Sequence, residues 1–131
     1  MSKTVKDALW GIKVKEVKGH FDCCDNQLTS LEGSPETVGG GFNCSWNKLT
    51  SLKGSPEIVN GDFDSSWNKL VSLEGSPERI KGDFFCSRNK LASLEGSPKI
   101  VEGDFVCFDN KVKFTKDDVR KVCGVKGNIY V

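Results

Sequence analysis

Gly54–Leu73 reads GSPEIVNGDFDSSWNKLVSL, and nearly the same sentence stands before it and after it. Gly-Ser-Pro begins at Gly33, Gly54, Gly75 and Gly96, a constant step of 21 residues. A further copy over residues 12–32 lacks the Gly-Ser-Pro but keeps Gly19, Phe21, Cys23, Asn26, Leu28 and Leu31 in register. A fixed short period of this kind predicts a repeat solenoid, in which each coil buries its apolar side chains on its neighbours.

Within one coil the chemistry of the columns gives each position a job. Phe21, Phe42, Phe63, Phe84 and Phe105 alternate with Cys23, Cys44, Ser65, Cys86 and Cys107 two residues later. Both columns therefore face one side of a short strand, and five such strands would form one parallel sheet. Asn26, Asn47, Asn68, Asn89 and Asn110 fit inward amides that satisfy backbone groups where the chain leaves the strand. Two leucine columns, Leu28 to Leu91 and Leu31 to Leu94, fill the interior. Gly-Ser-Pro turns the chain, with proline holding the preceding serine out of helical geometry. Val17, Val38, Val59, Ile80 and Val101 return it to the core before a bend glycine. A period near 20 to 29 residues around an L-x-x-N-x-L-like core is the pattern of a short leucine-rich-repeat stack. A coil of 21 residues leaves little room for a convex helix.

The predicted organisation is an N-terminal cap at 1–11, repeats at 12–32, 33–53, 54–74, 75–95 and 96–114, and a C-terminal cap at 115–131. Val5, Ala8 and Leu9 have helical spacing ahead of Gly11. Thr115 with Asp118 reads as a capping pair opening a helix over 116–123, with Val119, Val122 and Cys123 on one face. Val112 is expected to keep the leucine site of the fifth coil, and residues 128–131 to add a last strand or plug. Caps are needed because a terminal coil would otherwise present its core to water.

Nineteen Lys and Arg against 18 Asp and Glu exclude a bulk electrostatic drive toward nucleic acid or anionic membrane. No apolar run approaches the ~20 residues of a membrane helix, and the start lacks a secretory core, so a cytoplasmic protein is expected. The cysteine column reads as buried reduced thiols, with Cys24 one position out of step and accessible. A single His and the absence of C-x-x-C or G-x-x-x-x-G-K motifs give no enzyme signature, and no cofactor or metal is expected.

The repeat F-x-C-S-x-N-K-L-T-S-L-E-G-S-P-E-x-V-x-G-D, as at Phe42 to Asp62, resembles small leucine-rich-repeat proteins encoded by tailed bacteriophages over about residues 12 to 114. The resemblance implies a phage-encoded, host-directed interaction protein, with inhibition of a host defence or nucleic-acid-handling protein as one version.

The outward strand positions form the expected binding face. Asp22, Asp25, Asp62, Asp64, Asp83, Asp104 and Asp109 share it with Arg88 as its only full positive charge. Trp46 and Trp67 occupy one column in adjacent coils, with Phe85 and Phe108 nearby, and solvent-facing large aromatics are commoner at binding hot spots than on idle surfaces. The bland alternative is that the tryptophans stack on each other and cover the strand edge. Asp62, Asp83 and Asp104 each follow a bend glycine and equally suit capping of backbone amides. Lys48, Lys69, Lys90 and Lys111 read as a solvated edge. The expected function is a non-enzymatic, monomeric protein-binding module whose acidic, aromatic face engages a host protein with a basic surface, without direct nucleic-acid or membrane binding. The alternatives are an aspartate-cluster ligand or cation binder or hydrolase, and a structural virion component.

Overall fold

The computed structural model describes residues 2–9 and 11–131; Met1 and Trp10, inside the expected N-terminal cap, lie outside the described residues. The chain is a β-solenoid of about five turns built on two parallel sheets. Six strands form the first: β1 Glu16–Val17, β3 Thr37–Val38, β5 Ile58–Val59, β7 Arg79–Ile80, β9 Ile100–Val101 and β11 Gly124–Val125. Six form the second: β2 Phe21–Asp22, β4 Phe42–Asn43, β6 Phe63–Asp64, β8 Phe84–Phe85, β10 Phe105–Val106 and β12 Ile129–Tyr130. Only one sheet was legible as such in the repeat. The other arises from pairs such as Ile58-Val59 and Ile100-Val101, whose second residue is buried and whose first faces out. One buried β-branched residue per coil suffices for a strand when it recurs one coil away and the backbone completes the ladder.

The interior is a set of columns. Phe42, Phe63, Phe84 and Phe105 are buried, and their ring centroids lie 5.2 to 5.8 Å apart. The leucine columns and Pro35, Pro56, Pro77 and Pro98 are buried behind them. At the turn before each proline, the serine N–H donates to the leucine carbonyl three residues back, for example Ser76 to Leu73 at 3.1 Å. The third residue of that turn, Gly75, has φ +91°, and a Cβ there would meet the Lys53 backbone nitrogen at 2.2 Å. Positive φ and close approach of the neighbouring coil together demand glycine.

Polar closure comes from the asparagine column. The Asn68 amide nitrogen donates to the Cys44, Ser65 and Ser66 carbonyls at 3.0, 3.1 and 3.3 Å, and its Oδ1 accepts the Leu49 N–H at 3.0 Å. Asn47 and Asn89 repeat the pattern. Among the described residues no buried side-chain nitrogen or oxygen lacks a partner.

Helix α1, Val5–Ala8, opens on a capping box between Thr4 and Asp7, and buries Val5 against the first coil. Helix α2, Lys116–Val122, opens on the Thr115–Asp118 box, where the Thr115 amide N–H holds the Asp118 carboxyl below its usual range. Val119 and Cys123 are buried but Val122 is 43% exposed. Val112 does not keep the leucine site: it is 43% exposed, while Phe114 is 6% exposed and fills the interior. The chain turns inward two residues late because it must start α2 instead of another coil. Ile129 then pairs with Phe105, so the last rung is reached through a step of 24 residues instead of 21, the excess being taken up by α2.

Candidate functional site

Along each strand of the second sheet and its two flanks the chain presents four columns, one before the strand, one within it and two after it. In the first, the carboxylates are rungs of a backbone ladder. Asp62 Oδ1 accepts the Asp83 N–H at 2.7 Å, Asp83 Oδ1 accepts the Asp104 N–H at 2.7 Å, and Asp104 Oδ1 accepts the Asn128 N–H at 2.8 Å. His20 serves the same purpose in the first coil, its Nδ1 accepting the Gly41 N–H at 2.7 Å. Gly41 interrupts the ladder and offers no acceptor to Asp62. A Cβ at Gly41 would sit 3.3 Å from the Asp62 carbonyl oxygen, so the neighbouring backbone must give by a few tenths of an ångström. Gly41→Asp is nonetheless expected to add about 1 kcal/mol of stability, raising the thermal midpoint by about 4 °C. A midpoint no higher than that of Gly41→Ala, which adds the Cβ without the acceptor, would show that the rungs contribute nothing there.

In the second column Asp22, Asn43 and Asp64 each accept the N–H two residues on, from Cys24, Ser45 and Ser66, at 3.0, 3.0 and 2.9 Å. These are Asx turns that fix the exit from the strand. Phe85 stands in the same column, half-buried. Because Gly41 has no side chain, His20, Asp22, Asn43, Asp62, Asp64 and Phe85 surround a shallow depression of about 360 Å³. The third column holds Cys24, Ser45, Ser66, Ser87 and Phe108. Ser45 and Ser87 are 6% and 4% exposed; Ser45 donates to Asn43 Oδ1 at 2.6 Å and Ser87 Oγ accepts the Phe108 N–H at 3.0 Å.

The fourth column carries the least ordinary backbone of the molecule. Asp25, Trp46, Trp67, Arg88 and Asp109 have φ of 52, 56, 57, 55 and 55°. Left-handed geometry suits Asp, as at both ends of the column, but is an outlier for a bulky side chain and costs about 1 to 2 kcal/mol there. The two tryptophans stack with centroids 4.3 Å apart and planes within 11°. The Arg88 guanidinium lies 4.7 Å from the Trp67 ring centre and 5.7 Å from that of Phe108, and pairs with Asp109 at 3.3 Å. Trp46, Trp67, Arg88, Phe108 and Asp109 thus form one continuous stack, and Trp46 and Trp67 remain 55% and 41% exposed. Sequence periodicity placed Trp46 and Trp67 in one column; what it missed was the role of Asp25 and Asp109 as end members. The signal was present in the column itself, which reads Asp, Trp, Trp, Arg, Asp.

The expected site residues therefore fall into three groups. Asp22, Asp62, Asp64 and Phe85 meet at the depression, and Trp46, Trp67, Arg88 and Phe108 form the stack. Asp83 and Asp104 are half-buried rungs beyond both. No family model matches the chain, and neither a curated protein nor a solved structure matches it at a significant level. Among the described residues no helix is long and apolar enough to cross a membrane, and no three His, Cys, Asp or Glu side chains are grouped to hold a metal ion.

Charge is partitioned along the chain. Residues 21–110 carry 14 acidic against eight basic side chains, whereas residues 1–20 carry two against five and residues 111–131 two against six. The middle coils that bear the stack are the acidic part.

Cys24 is the one cysteine that is not buried. Its thiol is held above the usual range, chiefly by its hydrogen bond to the Asp22 carboxylate, while burial pushes Cys23 up to about 12. Reactivity follows the thiolate. In native protein a thiol reagent should therefore label Cys24 alone, slowly near neutral pH, and Asp22→Asn, which retains the turn as Asn43 does, should speed it. Peptide mapping that finds Cys44 or Cys86 labelled first would contradict the strand register.

Proposed function

We propose that this protein is a non-enzymatic protein-binding module that engages a basic protein surface through its outward strand face, with Trp46 and Trp67 as anchors. The observation that carries this reading is the left-handed backbone under two exposed tryptophans, at positions where Asp stands in the end coils. Folding alone would be better served by Asp, Asn or Gly, and strain retained at an exposed position points to a use outside the fold. Stacking returns about 0.5 to 1.5 kcal/mol, which offsets part of that cost but does not require the rings to face solvent. The acidic middle coils supply the complementary field for a basic partner.

The hydrogen bonds made by Asp22, Asp62, Asp64, Asp83 and Asp104 give each a role in holding backbone. For that reason the binding assignment rests on the aromatic stack and not on an aspartate cluster. The resemblance of the repeats to phage-encoded leucine-rich-repeat proteins supports a host-directed version, acting in the host cytoplasm on a defence or nucleic-acid-handling protein. Affinity capture from a bacterial lysate tests it. Wild type should retain a basic protein that the Trp46→Ala/Trp67→Ala double variant loses; capture of the same proteins by both would remove the stack from the binding surface.

A further inference from the structure

The stack is finished at one end and open at the other. At the C-terminal end, Trp67 is covered by the Arg88 guanidinium, whose charge is met by Asp109. At the N-terminal end, Trp46 is followed by Asp25, which has the same left-handed backbone but too short a side chain to cover the ring. Among the described residues Trp46 has Trp67 as its only aromatic partner and no cation on its face, and Asp25 is exposed without an ion pair. The order Trp, guanidinium, carboxylate is complete on one side. On the other it lacks its middle member.

Building on the strand face as the docking surface, we infer that the open face of Trp46 together with Asp25 is a recognition slot for an arginine side chain of the partner protein. The chain itself supplies the template, because Arg88 shows how a guanidinium lies over a tryptophan of this column while a column aspartate pairs with it. A planar guanidinium can stack and pair at once, whereas an ammonium is a compact, strongly hydrated point charge and gains less from the ring. The acidic surroundings favour a cation over a nucleobase, which could stack equally well but would bring its phosphate with it.

The test uses end-capped hexa-arginine and hexa-lysine peptides titrated into the intact protein, read by tryptophan fluorescence and by calorimetry. Hexa-arginine should bind at least about fivefold more tightly than hexa-lysine, since the stacked contact is what separates them. Asp25→Asn should weaken hexa-arginine several-fold. Asp25→Arg should reduce its binding to the level of hexa-lysine or below, because the protein's own arginine then occupies the slot. Arg88 shows that this backbone accepts arginine, and an unchanged thermal midpoint would verify folding of both variants. Equal binding of the two peptides, or an Asp25→Arg variant that binds hexa-arginine like wild type, overturns the slot. So does a single-stranded oligonucleotide that quenches Trp46 where hexa-arginine does not. A captured partner that needs Trp67 yet ignores Asp25→Arg would leave the docking face standing and the slot refuted. Selective hexa-arginine binding that Asp25→Arg abolishes, with a partner indifferent to the tryptophans, would support the slot and refute the docking face.

Discussion

Asn68→Ala is expected to lower the unfolding free energy by about 1 to 3 kcal/mol, the cost of one buried polar group left without a partner. The variant leaves the Leu49 N–H without a partner, whereas the carbonyls of Cys44, Ser65 and Ser66 lose one bond but keep another, from Asn47, Asn89 and the Trp46 N–H. A methyl group cannot replace the bond to the Leu49 N–H, which is buried beneath a residue only 8% exposed. Position in the array should grade the effect. Asn26, in the first coil, is half-exposed and donates to the Cys24 carbonyl alone at 3.1 Å, so Asn26→Ala should cost about 1 kcal/mol. Lys69→Ala, at a neighbouring exposed position, should change stability by about 0.5 kcal/mol or less. Urea unfolding of the three variants checks the order. Equal losses for Asn68→Ala and Lys69→Ala would show that the asparagine column does not hold the coils together.

Trp67→Ala should weaken binding of the partner by about 2 kcal/mol or more, roughly 30-fold, because it removes the plate that both Trp46 and Arg88 lean on. Its effect on folding should be small. The lost stack costs about 1 kcal/mol, and alanine, which keeps the Cβ that left-handed backbone crowds, recovers none of it. Trp67→Asp sharpens the distinction, since Asp is the residue the fold itself places in this geometry at positions 25 and 109. That variant should fold as well as wild type and still fail to bind. Charge should act on a different quantity: Asp64→Asn, at the rim of the depression, should chiefly slow association and flatten its salt dependence. A Trp67→Asp protein that binds normally would place recognition elsewhere.

The architecture was readable because a constant period makes every inward position repeat, so that chemistry at one column is reported four or five times. Gly-Ser-Pro, the phenylalanines and the asparagines each identified their role in this way. The first sheet was hidden for the opposite reason: its strands are two residues long and their outward members, Glu16, Thr37, Ile58, Arg79 and Ile100, share no chemistry. Val112 departs from its column because the fifth coil gives way to α2 and the chain turns inward two residues later, at Phe114. At the surface, alternation along a strand separates inside from outside but says nothing of backbone sign. Ser45 and Ser87, each one residue beyond an inward cysteine, are nonetheless buried. The left-handed turn beneath the tryptophans was likewise invisible until the column was seen to begin and end in aspartate.

The central claim is that recognition uses the tryptophan stack and not the lysine edge formed by Lys48, Lys69 and Lys90, all of them exposed. The most direct measurement is a calorimetric titration of the captured partner into three proteins: wild type, Trp67→Asp, and the Lys48→Ala/Lys69→Ala/Lys90→Ala variant. The lysine variant should bind like wild type, and Trp67→Asp should show a dissociation constant raised by roughly 30-fold or more. Loss of binding in the lysine variant with normal binding by Trp67→Asp would contradict the claim, and would make the partner acidic or phosphate-bearing instead of basic.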